Sequence, residues 1–391
     1  MQTFKKLIYL LNSTERKEAS LLLIMIILMA FLDMIGVASI LPFMAVLTDA
    51  SLIETNFILK IMFEASSIFG VENHKQFTFS LGILVFLLLI ISLTVKALTT
   101  YLQLRFVQMR EHSIGKLLIK SYLHQPYSWF LSRHSADLGK TILSEVQQVV
   151  GSGIQPLLEL IAKGMVAISL VMLLIIADPK LAFVIGLSLG FAYLIIFYFV
   201  RKYLNRMGSK RLLNNHLRFK LVSEAFGAAK EVKAQGLEQN YIKNFSKSSQ
   251  IYARTQASAY AIGLLPRFIL EAIAFGGILL IMLYFAVQTG SFNTALPFIS
   301  LYVFAGYRLL PALQMIYASL TQLTFIGPSL DKLYDDIKSL HLMDKNYDED
   351  KINFNQEIIL KNIHYNFPNT SRTALKNINL KIPIKSTVGI V

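Results

Sequence analysis

Long apolar stretches alternate with basic, helix-forming segments along most of this chain. Six of the stretches are long enough to cross a bilayer as a helix, which requires about 20 predominantly apolar residues. They lie at about 19–47, 79–108, 154–177, 180–201, 262–287 and 295–325. The pattern therefore predicts an α-helical membrane protein with six spans.

The connections between these spans are of two kinds. Only Asp178 and Pro179 separate the third and fourth spans, and residues 289–293 separate the fifth and sixth. The connections 105–150 and 205–254 are long, but they are rich in helix-forming residues. We expect the membrane helices to continue through them and to turn back near 126–130 and 227–230. The alternative is amphipathic helices that lie on the membrane surface.

One outer connection has its own periodicity. Apolar residues recur at helical spacing between 55 and 71: Phe57, Ile58, Ile61, Met62, Ala65, Ile68 and Phe69. This spacing predicts an amphipathic helix. It would lie either on the outer membrane surface or as a cap over the helix bundle.

Composition and charge agree with a membrane protein. Apolar residues make up 54% of the chain and charged residues 16%, and the net charge is +14. Basic residues number four before the first span, six in 105–150 and twelve in 201–254, against Lys60, Lys75 and Lys180 on the opposite side. This asymmetry predicts that both termini are cytoplasmic, and it removes the need for a nucleic-acid partner. The chain has no cysteine, which excludes thiol chemistry.

Charged residues inside the predicted spans are candidates for a substrate site, because charge is costly in a membrane. They are Asp33, Lys96, Glu159, Lys163, Arg267, Glu271 and Arg308. Glu159 with Lys163 and Arg267 with Glu271 are spaced for pairing along one helix face. Lys96, Arg267 and Arg308 would together suit an anionic head group such as phosphate. The alternative for Lys96 is a side chain that extends to the membrane interface.

The last part of the chain changes to a strand pattern. Residues 331–352 form a linker that begins as a continuation of the last helix and becomes acidic. Strands are predicted at 358–360, 363–367 and 378–382, the last by alternation of apolar and polar residues. The continuous apolar run 387–391 predicts a fully buried strand.

These strand segments, 365–368, 374–383 and 387–391, resemble the first part of the nucleotide-binding domain of an ABC transporter. Residues 135–146 and 224–236 are similar to the segments that flank the two coupling helices of its six-span exporters. The resemblance implies a type 1 exporter fold, with a transmembrane domain at 1–330 and an incomplete α/β nucleotide-binding domain at 353–391. It also implies a membrane-embedded homodimer, and ATP with Mg²⁺ as cofactors of the full-length parent.

The resemblance also assigns roles to individual residues. Phe367 matches the aromatic residue that stacks on adenine, and Lys385 stands where the family usually has glycine. The residues Tyr127, Trp129, Phe130, Gly227 and Lys230 belong to the coupling regions. No Gly-x-x-x-x-Gly-Lys-Ser/Thr motif, signature motif, Walker B carboxylate or switch histidine occurs. We therefore expect no catalytic residue and no ATP hydrolysis by this chain alone, and a chain truncated just before Walker A.

Within the exporters, residues 266–271 and 307–311 are similar to segments of bacterial lipid-linked oligosaccharide flippases of the PglK type. This implies a protein of the bacterial inner membrane that translocates an anionic lipid-linked oligosaccharide or polysaccharide precursor. The substrate-binding residues would be Lys96, Arg267 and Arg308, with Asp33 and Glu271 beside them. The alternatives are an exporter of a peptide, drug or lipid A type substrate, and a membrane protein that transports nothing.

Overall fold

The computed structural model describes residues 2–68, 70–71, 73–131, 133–177, 179–288, 296–340, 356–366 and 373–389. Some side chains in the membrane parts of the later helices lie outside this description. The remaining residues include Phe367, Phe69 and most of the predicted linker.

The first half of the chain is helical. Its helices are α1 (Gln2–Tyr9), α2 (Ser13–Ala38), α3 (Ile40–Thr48), α4 (Leu52–Thr55), α5 (Phe57–Ser67), α6 (His74–Leu123), α7 (Tyr127–Leu131) and α8 (Ser135–Lys140). Asn12 begins α2 with a capping box: its side chain accepts from the Glu15 N–H, and the Glu15 carboxylate accepts from the Asn12 N–H. This reciprocal pair satisfies two of the N–H groups that a helix start leaves open.

The second half continues as helices and ends in two strands. After α8 come a π-helical segment (Thr141–Glu145), α9 (Val146–Val149), a second π-helical segment (Val150–Ile154), α10 (Gln155–Ala177), α11 (Pro179–Gly227), α12 (Ala229–Ala234), α13 (Glu238–Gln288), α14 (Leu296–Ser339), β1 (Glu357–Asn366) and β2 (Thr373–Pro383). The described fold is therefore a bundle of long helices followed by one two-stranded sheet.

Three helices are far longer than a bilayer requires. The helices α6, α11 and α13 have 50, 49 and 51 residues. At 1.5 Å per residue each is about 75 Å long, more than twice the thickness of the hydrocarbon core. The prediction that membrane helices continue through the long connections is confirmed, and the chain turns back at the short helices α7 and α12.

Four helical stretches within the described residues are long and apolar enough to cross a membrane, judged by length and composition: Ser13–Thr48, His74–Leu123, Ser135–Ile176 and Gly306–Ser339. They contain the first, second, third and sixth predicted spans or most of them. The fourth and fifth predicted spans fall in α11 and α13, where part of the side chains lies outside the description.

The outer helix α5 has two apolar faces. Leu59 is buried, with Met62 and Phe63 beside it, against a cluster from α3 and α6 that includes Val46 and Phe77. The opposite face, which carries most of the predicted apolar series, is exposed: Phe57, Ile58 and Ile61. The helix therefore caps the bundle through one face and leaves the other exposed.

The helices α11, α13 and α14 cross closely. Leu204, Ala259 and Phe325 form a buried cluster between them. At the crossing, a Cβ on Gly208 would overlap the backbone carbonyl oxygen of Phe325. Only glycine therefore permits this approach of α11 to α14.

Strands β1 and β2 form an antiparallel pair in which Leu360 faces Leu380 and Ile358 faces Ile382. The predicted strands at 358–360 and 378–382 are confirmed. The predicted buried strand at 387–391 is wrong for its described part, because residues 387–389 are irregular and exposed. A buried strand needs partners on both sides, and the described sheet has only these two strands.

Candidate functional site

Three groups of charged side chains lie within the predicted spans among the described residues. The first joins α2, α6 and α14. Asp33 is 2% exposed and pairs with Arg308, whose side chain is 16% exposed. The Ser92 hydroxyl donates to the same carboxylate oxygen of Asp33 at 2.7 Å. We call Asp33, Ser92 and Arg308 the closed pair, because each charge has its counter-charge.

The second group surrounds a cavity of about 180 Å³ between α2, α6, α10 and α14. Its lining includes Lys96, Gln103, Glu159 and Lys163, which we call the open cluster. The side chain of each is half-buried. Lys163 lies within electrostatic range of both Lys96, which repels it, and Glu159, which attracts it. The Gln103 Nε2 atom is buried and has no acceptor within the described part of the chain.

The carboxylate of the open cluster does not neutralise it. Glu159 accepts a hydrogen bond from Gln155 at 3.0 Å. No salt bridge joins it to Lys163 in the part of the chain that the structure describes, although the spacing predicted such a pair. Two ammonium groups and an unused amide donor therefore face one carboxylate, which leaves an excess of positive charge and of donors.

Arg267 and Glu271 form the predicted pair on α13. The Arg267 Nε lies 2.6 Å from a Glu271 oxygen, and the two side chains are 52% and 37% exposed. The described contacts do not bring Arg267 together with Lys96 or Arg308. The three cations that the sequence suggested for one cavity occupy three separate environments within this chain.

The first coupling region is anchored to the end of α14. The Trp129 ring lies 5.3 Å from that of Tyr122 and 4.3 Å from the Arg133 guanidinium. The Tyr122 hydroxyl donates to Asp336 at 2.6 Å, and Arg133 pairs with the same carboxylate at 3.2 Å. Tyr127 is exposed and Phe130 half-buried. Sequence reasoning missed this contact, because more than 200 residues separate Tyr122 from Asp336.

The second coupling region is a short exposed helix. Gly227 ends α11, and α12 follows with Lys230 exposed and Val232 buried. The chain leaves α12 through Gly236, whose φ of +65° is in the left-handed region. The helix exposes its charged residues Lys230, Glu231 and Lys233.

A buried polar network that the sequence did not indicate joins α11 to the first π-helical segment. Arg211 is 1% exposed and donates to Glu145 at 2.8 Å, and Asn215 donates to Glu145 at 2.8 Å and to Ser144 at 3.0 Å. The extra residue of a π-helical turn changes which side chains face a neighbouring helix. The network fixes α11 against the chain segment that leads into α10.

The nucleotide contact predicted at Phe367 lies outside the described residues. The 391 residues of the sequence contain no Gly-x-x-x-x-Gly-Lys-Ser/Thr motif, the loop whose backbone N–H groups hold the phosphates of ATP. Lys385, where the resemblance led us to expect glycine, has a φ of 59°. That conformation is strained for a residue with a Cβ, which accounts for the glycine preference.

Comparisons with known proteins agree with the observed architecture. Among solved structures, a bacterial Atm1-family ABC exporter with ATP bound matches with a TM-score of 0.63 at 12% sequence identity. The match covers 95% of this chain and 62% of that one, and at this identity it shows the fold alone. A family model described as the ABC transporter transmembrane region matches residues 21–307. Since this segment is well over half of the sequence, the chain belongs to the family of ABC transporter transmembrane regions.

Proposed function

We propose that this chain is the membrane part of an ATP-driven exporter that flips an anionic lipid-linked oligosaccharide or polysaccharide precursor across the bacterial inner membrane. Membership of the transporter family supports the transport role. The observation that supports an anionic substrate is the open cluster. A polar cavity inside an apolar bundle, with donors and cations in excess, matches the chemistry of a phosphate or pyrophosphate group.

The open cluster is better suited to a substrate than the closed pair. Lys96 and Lys163 repel one another, so an anion between them relieves this repulsion in a region of low dielectric. Gln103 would give its unused N–H to the same anion. Each lysine ammonium is a compact charge with rotatable N–H donors on a flexible side chain. Such a group suits a substrate that must be released as well as bound.

In this proposal Arg308 and Arg267 contact the substrate only after it has bound to the lysines. Arg308 would need to leave Asp33 to contact substrate, and Arg267 would need to leave Glu271. Such exchanges are suited to a transport step rather than to first binding. We propose that substrate first meets Lys96 and Lys163 and that the arginines contact it as the helices rearrange.

We propose that a second copy of the chain completes the transporter, with both termini cytoplasmic. ATP bound by the nucleotide-binding part of the complete protein supplies the driving force. In this chain, α7 and α12 would receive that motion. The contacts of Tyr122 and Arg133 with Asp336 would carry it from the first coupling region to α14.

Binding of a lipid pyrophosphate tests the substrate class directly. The probes are undecaprenyl pyrophosphate and undecaprenol, which differ only in the pyrophosphate, added to the whole chain in phosphatidylcholine nanodiscs. We expect the pyrophosphate to bind at least about tenfold more tightly, since its charge adds charge-assisted hydrogen bonds. Equal affinity for the two probes would contradict the proposal.

Paired variants identify the site. Lys96→Gln with Lys163→Gln should remove the preference for the pyrophosphate. Lys116→Gln with Lys120→Gln is the matched control, because it removes the same charge from exposed positions on α6. A preference that survives the first pair, or that disappears in the control, would contradict the assignment to the open cluster.

A further inference from the structure

A second and larger cavity lies at the cytoplasmic end of the membrane part, away from the closed pair and the open cluster. It has a volume of about 880 Å³ and is formed by α1, α10, α11 and α14. This is within the range of ligand pockets, which is about 300–1,000 Å³. We call it the basic cleft.

The lining of the basic cleft combines two chemistries. The residues from α1, α10 and α14 are mostly apolar and include Phe4, Leu157, Leu160, Leu320 and Leu323. The residues from α11 include Arg201, Lys202 and Asn205. A ligand that matches both sets has an apolar chain joined to an anionic group.

The protein does not balance the positive charges of Arg201 and Lys202. The carboxylate that lines the cleft is Asp331, and the Lys6 ammonium already occupies it at 2.8 Å. This hydrogen bond raises the pKa of Lys6 above its usual value. Neither Arg201 nor Lys202 has a carboxylate partner among the residues that the structure describes. Two positive charges are therefore available to a ligand.

The position of the basic cleft selects the kind of ligand. Arg201 ends the fourth predicted span and Lys202 follows it, and the two residues begin the most basic segment of the chain. Tyr198 and Phe199, just before them, are exposed, as aromatic residues at a membrane interface are. Arg201 and Lys202 are thus expected at the head groups of the cytoplasmic leaflet, where anionic lipids attract Lys and Arg.

We propose that the basic cleft binds an anionic glycerophospholipid of the cytoplasmic leaflet. Its phosphate contacts Arg201 and Lys202, and one acyl chain lies against the apolar residues of α1, α10 and α14. Because α1 forms one wall, the lipid also holds α1 against α14, beside the Lys6–Asp331 pair. This inference does not depend on the proposed substrate, since it concerns other residues and a resident lipid.

Fluorescence quenching by brominated lipids tests the proposal. Phe197→Trp places a reporter in the wall of the cleft. The natural Trp129 lies in the first coupling region and serves as an internal reference. The whole chain is placed in nanodiscs with brominated phosphatidylglycerol or brominated phosphatidylcholine at equal mole fraction. We expect markedly stronger quenching of the reporter by phosphatidylglycerol; equal quenching by the two lipids would overturn the proposal.

Charge variants in the same reporter chain assign the contact. Arg201→Gln with Lys202→Gln should weaken the apparent affinity for phosphatidylglycerol by on the order of tenfold, since each cation contributes to anionic lipid binding. Arg206→Gln with Lys210→Gln, on exposed positions of the same helix, should leave it unchanged. An unchanged affinity in the first pair, or an equal loss in both pairs, would overturn the assignment.

A thermal measurement separates lipid from free phosphate and does not need the reporter. Phosphatidylglycerol added to the detergent-solubilised chain should raise Tm in the wild type and in R206Q/K210Q but not in R201Q/K202Q. Inorganic phosphate should have no such effect, because it lacks the acyl chain. An equal rise with inorganic phosphate, or a rise with lipid in R201Q/K202Q, would contradict a lipid site.

Discussion

The closed pair and the open cluster are both charged groups inside a membrane bundle, yet they differ in how the charges are satisfied. In the closed pair, Asp33 receives both Arg308 and the Ser92 hydroxyl and is almost fully buried. In the open cluster, Lys96 and Lys163 share a cavity with a single carboxylate, which is already bonded to Gln155.

This difference teaches that a charge within a membrane span is not by itself a functional signal. A charge that is paired with its counter-charge stabilises a helix contact, and the pair is costly to break. A group of charges without enough counter-charge can instead bind a ligand of opposite charge. The two groups should therefore respond to mutation in opposite ways. Loss of the closed pair should lower stability, and loss of the open cluster should lower ligand binding.

The largest expected effect comes from breaking the closed pair. Asp33→Ala leaves the Arg308 guanidinium buried without its counter-charge, which costs about 3–5 kcal/mol. The thermal midpoint of the purified chain should fall steeply. Ser92→Ala is the control, because it removes one neutral donor and costs about 1 kcal/mol. If the two variants were equally stable, the pair would not be structural.

The next effect sharpens the contrast. Lys96→Gln with Lys163→Gln should reduce the affinity for undecaprenyl pyrophosphate by about tenfold or more while leaving the thermal midpoint unchanged or slightly raised, since like charges no longer repel. Binding and thermal unfolding are measured on the same preparation. A large loss of stability in this variant would place the open cluster in the same class as the closed pair.

A smaller effect is expected at the pair on α13. Arg267 is exposed and Glu271 is half-buried in this chain, and where such a surface faces water an ion pair contributes about 0–1 kcal/mol. Arg267→Gln should therefore lower the free energy of unfolding by less than about 1 kcal/mol, far less than Asp33→Ala. Thermal unfolding of the two variants side by side measures this. A loss as large as that of Asp33→Ala would show that Arg267 is buried in an assembly with a partner chain.

The smallest effect lies outside both groups, in the turn that follows β2. Lys385→Gly removes the strain of a left-handed residue, so the turn should be more stable by about 0.5–1 kcal/mol. Hydrogen exchange should slow at the Ser386 N–H, which donates to the Pro383 carbonyl. Lys381→Gly, in the middle of β2, is the control and should speed exchange in the strand. Faster exchange in the Lys385 variant would contradict this account.

Much of the fold could be predicted from the sequence because it depends on local patterns. Apolar length determines the spans, and the scarcity of glycine and proline in 105–150 and 205–254 determines that helices continue there. The buried strand at 387–391 could not be judged in this way. An apolar run shows that a strand could be buried favourably. Whether it is buried depends on neighbouring strands, which a local pattern does not reveal.

The candidate site was harder to predict, because its contacts join distant residues. The sequence identified every charge in the spans, including Asp33 and Arg308, but 275 positions separate these two, so their pairing was invisible. For Lys163 the sequence suggested a salt bridge that is not formed among the described residues. Its spacing from Glu159 suggested a local pair, yet the carboxylate bonds to Gln155 and the lysine faces Lys96.

The reactivity of single cysteines tests the central contrast most directly, because the natural chain has none. Gln103→Cys places a thiol in the open cluster, and Ser92→Cys places one in the closed pair. A hydrophilic methanethiosulfonate reagent should modify the first at least about tenfold faster, because only the thiolate in contact with water reacts readily. Undecaprenyl pyrophosphate should slow that reaction. Equal rates at the two positions, or no slowing by the pyrophosphate, would contradict an open, ligand-binding cluster beside a closed structural pair.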